Sequence, residues 1–337
     1  MKAIAKVRPE PGVQIVDVPE PSPGPGEVKI KLEAASVCGT DLHIYNWDPW
    51  AAGRIHPPRV IGHEFCGTIV KLGKGVTERS VGDFVSSESH IVAPDSPWLA
   101  AGLGHVDPET RILGVDVDGG FAEYAVMPVA NARPTDRRIP PRIACFQDAL
   151  GNAVHTVSDG PVEGKEILIT GLGPIGLMAA AVCRAMGAKR VIGTEISPYR
   201  RSLGEQIGVD LILDPSTDAV HSILEEGVDA TLEMSGHPSS LQLAIDATRA
   251  GGRISMLGVY RESPLPVDIN KAIFKGLRLQ GIVGRRLWET WDLMGRLLSE
   301  GKLDPSPVVT HTFPFTEFQE AMELMKRGEA GKVVFTF

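Results

Sequence analysis

The stretch KEILITGLGPIGLMAAAVCRAMGAKRVIGTEIS, residues 165–197, decides how the chain is read. It opens with a short apolar run, passes through a glycine turn, continues as an alanine-rich helix and returns to a second apolar strand. Gly171, Gly173 and Gly176 stand in G-x-G-x-x-G spacing, and the second strand ends in Glu195. Alone, that spacing is a weak signal. Between a strand and a helix, with an acidic residue about twenty positions on, it is the dinucleotide fingerprint. Gly171 permits the tight turn, Gly173 lets the backbone approach a pyrophosphate, and Gly176 allows close packing of helix on strand. The helix N-terminus faces the negative charge. Glu195 is placed to accept hydrogen bonds from ribose hydroxyls and to repel a 2′-phosphate, which predicts NAD rather than NADP. Arg200 and Arg201 nearby argue for the phosphorylated cofactor, but the acidic residue at the strand end carries more weight.

On either side of this stretch the pattern changes. After about residue 144 strands and helices alternate, through VDLILD, VDATLEMSG, SLQLAIDATRAGGRISMLGV and KGLRLQGIVG. Such a βαβ series predicts a mainly parallel sheet with helices on both faces. Before about residue 130 the chain is a series of short β-rich segments, KAIAKV, VQIVDV, EVKIKLEAASV, CGTIVKLG, DFVSS and FAEYAVMP. PEPSPGPGE and DPWAAGRIHPPR read as Pro-Gly linkers between them. A small, irregular antiparallel barrel fits that half. LWETWDLMGRLLSEG is an amphipathic helix, FQEAMELMKRG a last helix, and the final KVVFTF a strand that fits either half.

At 337 residues, two domains are expected. A net charge of −8, with no long Lys/Arg block, argues against a nucleic-acid surface. No apolar run reaches the roughly 18–20 residues of a membrane helix, and MKAIAKVRPEPG is no secretory leader. Four cysteines make no disulfide framework. A cytoplasmic protein with a small-molecule partner is expected.

Two polar clusters precede the glycine turn. Cys38 opens CGTDLHIY, and His63 and Glu64 lie in VIGHEFCG. A thiolate, an imidazole and a carboxylate can jointly hold zinc, but at this separation only the fold brings them together, and each also reads as a buried structural residue. Cys66, Cys145 and Cys183 read as small buried hydrophobes, and His155 as a hydrogen-bonded structural histidine.

PGPGEVKIKLEAASVCGTDLHIYNWD, GHEFCGTIV, VGDFVSSESHIV, GVDVDGGFAEYAV, GNAVHTV, ITGLGPIGLMAA and GIVGRRLWETW together resemble the zinc-containing medium-chain alcohol dehydrogenase family, over nearly the whole chain. The resemblance implies a chaperonin-10-like (GroES-like) catalytic domain, residues 1–145 plus about 290–337. A Rossmann domain, residues 146–289, is inserted between them, which sends the last strand back to the first domain. It implies one catalytic zinc per subunit on Cys38, His63 and Glu64, and a proton relay through Thr40 and His43. It further implies NAD contacts from Ile175, Glu195 and Arg200, with Leu257, Gly258, Val259, Ile282 and Val283 near the nicotinamide half. The implied reaction is oxidation of the secondary hydroxyl of L-threonine to 2-amino-3-oxobutanoate by a homo-oligomer, at least a dimer and commonly a tetramer. Other secondary alcohols or polyols are the alternative substrates, and a non-catalytic nucleotide-binding protein is the minor alternative.

Two departures matter. Family members commonly carry four cysteines for a structural zinc in the lobe after SESHIV, but residues 88–112 contain none. His90, Asp95, His105 and Asp107 lack tight ligand spacing, so no structural zinc is expected, and Trp98, Leu99 and Leu103 are expected to form an apolar clasp instead. His90 reads equally as a substrate-side group or a loop-stabilising one. The second departure is Asp148, where the family usually has glutamate. One methylene less puts threonine activity in question, since about 1 Å of misplacement can cost roughly 100-fold.

Overall fold

The computed structural model describes every residue except 225 and 261–263, and the side chain of residue 221. It divides into two compact units. The first comprises Met1–Ala149, Arg286–Gly295 and Val309–Phe337, and the second Leu150–Arg285 and Arg296–Val308. The division assigns Arg296–Val308 to the second unit, whereas the sequence reading put everything after about residue 290 with the first.

In the first unit, Glu27–Ser36 is the organising strand. It pairs antiparallel with Glu64–Leu72, Tyr124–Pro128 and Lys332–Thr336, and the sheet continues through Phe84–Ser87 to Ala132–Pro134 on one side and Val309–Pro314 on the other. The last strand therefore returns to the first unit, as the family resemblance implied. A second sheet holds Gln14–Asp17, Lys2–Lys6 and Arg59–Val60. Ile4, Ile30, Leu32, Ile61, Phe65, Ile69, Val85, Phe121 and Phe335 fill the core between strands. Burying such side chains contributes about 1.5–3 kcal/mol each. Register puts Ser36 opposite both Glu64 and Val334, so three strands from distant parts of the chain meet at one point. Gly62 has φ +90, and a Cβ there would lie 2.2 Å from the Phe121 ring. Only glycine can turn the chain into His63 at that place.

DPWAAGRIHPPR is more than a linker. Pro49–Arg54 is a short helix, with Asp48 accepting from Ala51 N at its N-terminus and Pro at its first position. Asp-Pro is a helix-start signal, and the surrounding Pro and Gly residues obscured it.

The second unit carries a six-stranded parallel sheet ordered Leu211–Leu213, Arg190–Thr194, Glu166–Thr170, Val228–Glu233, Thr248–Met256, Arg278–Gly281. In sequence order this is 3-2-1-4-5-6, and the reversal between Glu166–Thr170 and Val228–Glu233 is where such sheets bind ligands. The glycine turn leaves the first of those strands at that reversal. No helix among the described residues is long and apolar enough to cross a membrane.

Candidate active site

Cys38, His63 and Glu64 converge. Their ligand atoms lie within 4.8 Å of one another, the one such grouping of three among the described residues. Cys38 caps the helix Gly39–Asn46 and is partly exposed, while His63 and Glu64 are buried. Glu64 Oε2 accepts from Ser36 Oγ and Lys332 Nζ, and Lys332 Nζ also donates to Val37 O at 3.3 Å. Glu64 Oε1, fully buried, has no hydrogen-bond partner, and neither has His63 Nδ1. A sulfur, an imidazole and a carboxylate with one oxygen unspent fit a zinc ion.

The electrostatics agree. Burial disfavours charge on His63, but the Cys38 sulfur, Asp41 and Glu64 outweigh it and hold the imidazole up at about 10. Burial also opposes charge on Glu64, yet Lys332, His63 and Ser36 keep its carboxyl below the usual range. Asp41 and Glu64 supply the negative charge that His63 and Lys332 answer, and a bound cation would take the place of the His63 proton. Asp41 lies fully buried beneath the site, its Oδ2 accepting from Cys38 N at 2.8 Å. Burial pushes it up to about 6.

Thr40 and His43 sit one turn apart on the helix that Cys38 caps, with Thr40 Oγ1 3.8 Å from the Cys38 sulfur. His43 is exposed, and its Nδ1 lies 2.5 Å from Asp48 Oδ2. Asp148 is buried, and its Oδ1 accepts from Ser89 N at 2.8 Å. The neighbouring His90 is clamped: Glu88 Oε1 accepts from its backbone N at 2.8 Å, while Trp291 Nε1 holds Glu88 Oε2 at 2.6 Å. Asn131 Nδ2 bonds the carbonyls of both Glu88 and His90 at 2.8 Å.

In the lobe that follows, the apolar clasp does not form as expected. Trp98 and Leu103 are 40% and 44% exposed, and only Leu99 of the three is partly buried. The buried pair there is polar instead. Ser96 Oγ donates to Asp107 Oδ2 and caps the turn Pro97–Ala100, while Asp107 Oδ1 accepts from Glu109 N at 2.8 Å. Small polar residues near turns bond locally, a role that hydrophobicity does not signal.

In the second unit, Gly171 has φ +87, and a Cβ on Gly176 would lie 2.0 Å from Gly171 O. A Cβ on Gly173 would meet nothing within 4 Å, so that face is open. Gly173 caps the helix Pro174–Ala185 without a side-chain hydrogen bond, leaving its first N–H groups for an anion; Ile175 lies in that first turn. Glu195 Oε2 accepts from Leu172 N at 3.0 Å and Oε1 from Ser197 N at 2.9 Å, so the acid also holds the turn. Arg201 is occupied by Asp214 at 2.6 Å and by the carbonyls of Glu195 and Ile196, which removes it as a natural partner for a 2′-phosphate. Arg200 Nε is buried and without a partner. Leu257 and Gly258 donate backbone N–H groups to Glu233 O, and Ile282 to Met256 O, while Val259 and Val283 stand exposed.

Residues 24–137 match the alcohol dehydrogenase GroES-like domain and residues 174–300 the zinc-binding dehydrogenase domain. L-threonine 3-dehydrogenase of Pyrococcus furiosus is 47% identical, over 99% of this chain and 98% of its own. Among solved structures, an alcohol dehydrogenase of Escherichia coli complexed with NADH superposes with a TM-score of 0.92 at 29% identity, over 100% of this chain and 99% of its own. The 2R,3R-butanediol dehydrogenase of Bacillus subtilis gives 0.90 at 26%, over the same shares.

The chain belongs to the zinc-binding medium-chain dehydrogenase family.

As in that family, a GroES-like domain accompanies a Rossmann-type sheet, and the protein is an oxidoreductase. Sequence reasoning missed Ser36, Asp41, Lys332, Asp48, Glu88 and Trp291, which hold the candidate site residues rather than presenting themselves. Only Asp41, three residues after Cys38, and Asp48, before Pro49, had a local signal. Cys66, Cys145 and Cys183 are buried, with burial pushing Cys183 up to about 12, and His155 Nδ1 pairs with Gly284 O at 3.0 Å, as their structural readings expected.

Proposed function

We propose that this dehydrogenase oxidises the secondary hydroxyl of L-threonine to 2-amino-3-oxobutanoate, using NAD and one zinc per subunit. The observation that carries the reading is the convergence of Cys38, His63 and Glu64, with Glu64 Oε1 buried and unspent, in a chain that also bears the glycine turn. The 47% identity to an L-threonine 3-dehydrogenase over nearly the whole chain supports the substrate.

When bound, zinc on Cys38, His63 and Glu64 supplies Lewis acidity to the substrate hydroxyl, and the nicotinamide supplies the hydride acceptor. Thr40 receives the hydroxyl proton and passes its own to His43, which delivers it to water. With NAD bound, the carbinol carbon would give up its hydrogen as hydride and the hydroxyl its proton, so alcohol and NAD would become ketone, NADH and a proton. Asp148 contributes negative charge from outside that chain of groups. Gly171, Gly173, Ile175 and Gly176 cradle the pyrophosphate, Glu195 takes the adenosine ribose and Arg200 contributes its unspent Nε–H. Leu257, Gly258, Val259, Ile282 and Val283 border the nicotinamide half. The enzyme works in the cytoplasm, in threonine catabolism, as a tetramer or at least a dimer.

A second substrate class, other secondary alcohols or polyols, is favoured by Asp148, whose carboxylate is one methylene shorter than the family's usual glutamate. Steady-state turnover with NAD across L-threonine, butanediols and sugar alcohols decides between them. Threonine giving the highest kcat/KM supports the proposal; a diol or polyol exceeding it by about tenfold, a 1.4 kcal/mol preference, replaces it.

A further inference from the structure

Two helices meet at a corner beside the candidate metal site. Gly39–Asn46 ends at Trp47, which takes a left-handed conformation at φ 55, and Pro49–Arg54 begins one residue later with Asp48 as its cap. That corner aims Asp48 back at His43. One carboxylate oxygen, Oδ1, accepts from Ala51 N at 3.0 Å, and the other, Oδ2, lies 2.5 Å from His43 Nδ1. The Trp50 ring stands edge-on to the imidazole with centroids 5.9 Å apart, which limits how the ring swings. The charged groups of the helix packed against this one, Glu323 and Lys326, meet Tyr45 instead of His43, and Asp41 on the same helix is turned into the buried side.

We propose that Asp48 is the positioning residue of the proton relay, holding His43 as the tautomer whose Nδ1–H is donated to the carboxylate and whose Nε2 is free to take a proton. This rests on the reading of Thr40 and His43 as a relay. The logic is that of a carboxylate behind a histidine base: the carboxylate takes no proton itself but fixes which nitrogen is the acceptor and where it points. A carboxylate can serve only as acceptor, so a single tautomer satisfies the pair. The Ala51 N–H and the His43 pairing both hold Asp48 in its ionised form, below the usual carboxylate range. Asp48 is thus committed twice, once to starting a helix and once to orienting a base. A cap alone uses one oxygen; the second one finds its partner only because the corner brings the helices together.

Asp48→Asn separates these roles, because asparagine caps helices as well as aspartate and keeps an acceptor for Ala51 N. Its amide, however, can donate to Nδ1 and stabilise the wrong tautomer. A wrong tautomer costs about 10⁴-fold in a buried serine-protease triad. His43 is exposed and can turn, so a fall in kcat of about 10- to 100-fold is expected, with NAD affinity and melting temperature unchanged. The deficit narrows as pH rises, since hydroxide in solvent then takes the proton directly. The experiment is a double-mutant cycle with His43→Ala, measured as kcat from pH 6 to 10. Asp48→Asn added to His43→Ala costs nothing further if Asp48 acts through His43. Equal costs in both backgrounds overturn the inference, as does full kcat in Asp48→Asn when His43→Ala is impaired. Full turnover in His43→Ala itself removes the relay reading, and the inference with it, and that result is read on a different protein.

Discussion

Lys332 donates its buried ammonium to the carboxylate of Glu64, 268 residues earlier in the chain. The strand Lys332–Thr336 pairs beside Glu27–Ser36, so the final segment of sequence closes the floor of the candidate metal site. Lys332 and Ser36 together occupy Glu64 Oε2 and thereby decide which oxygen is left.

Lys332→Met leaves a buried carboxylate without its counter-ion, and breaking such a pair destabilises by about 3–5 kcal/mol. The expected result is a lower melting point in chelator-treated protein, partly restored by zinc, which supplies the missing positive charge. The pair also sets a pH window. Glu64 lies below its usual pKa of 4.5, so its contribution is present above 4.5 and is lost as pH falls through the folded value. Lys332 lies above 10.5, so its contribution is present below 10.5 and is lost as pH rises through the folded value. Melts of metal-free wild type and variant from pH 3 to 11 check this. A constant gap between them below pH 4.5 contradicts it.

The two chemistries were unequally visible in the sequence. Gly171, Gly173 and Gly176 act through backbone conformation within six residues, and local spacing reports that directly. Cys38 and His63 are separated by 25 positions, and their meeting depends on the register of Glu27–Ser36 against Glu64–Leu72, which spacing does not encode. Lys332 carries no local signal in GKVVFTF, and only tertiary pairing buries it. The lobe was misjudged because Trp98 and Leu103 are apolar, while the buried contacts there are made by Ser96 and Asp107.

Glu195 is predicted to choose NAD by charge and to hold the glycine turn by hydrogen bonding, and substitution can divide the two. Glu195→Gln keeps one of the two oxygen acceptors that hold the turn and removes the repulsion of a 2′-phosphate. The ratio of kcat/KM for NADP over NAD should rise about tenfold, equivalent to about 1.4 kcal/mol. Glu195→Ala should weaken both cofactors together, because the Leu172 and Ser197 N–H groups lose their acceptor. An unmutated enzyme that prefers NADP overturns the charge assignment.

Asp148 holds the Ser89 N–H, which is buried. Asp148→Ala leaves that donor unpaired, at about 1–3 kcal/mol, so lost activity in that variant confuses folding with chemistry. Asp148→Asn keeps an acceptor for the Ser89 N–H and removes the charge. Its kcat on threonine should fall about tenfold or more per folded enzyme counted by active-site titration, each tenfold being about 1.4 kcal/mol of barrier. Asp148→Glu should raise threonine activity if the shorter reach is what limits it. Unchanged kcat in Asp148→Asn makes the residue a structural one.

The metal content is expected to be one zinc per subunit. Cys38, His63 and Glu64 supply the single close set of ligand atoms among the described residues, and the lobe at 88–112 has no thiolate. Within that lobe Asp107 is already committed to Ser96 and to Glu109 N, which leaves it poorly placed to serve a second ion. Metal analysis of dialysed protein should therefore give one equivalent, and Cys38→Ser should reduce it to a small fraction. Two equivalents in the parent protein, or one retained in Cys38→Ser, contradict the assignment. Binding is also expected to release a proton. His63 is held at about 10 in the metal-free site, and an imidazolium has no lone pair to give. Below about pH 10 the apparent zinc affinity should therefore rise with pH. Competition against a chelator of known affinity across those pH values measures the slope. An affinity independent of pH contradicts the assignment of a charged His63 in the metal-free site.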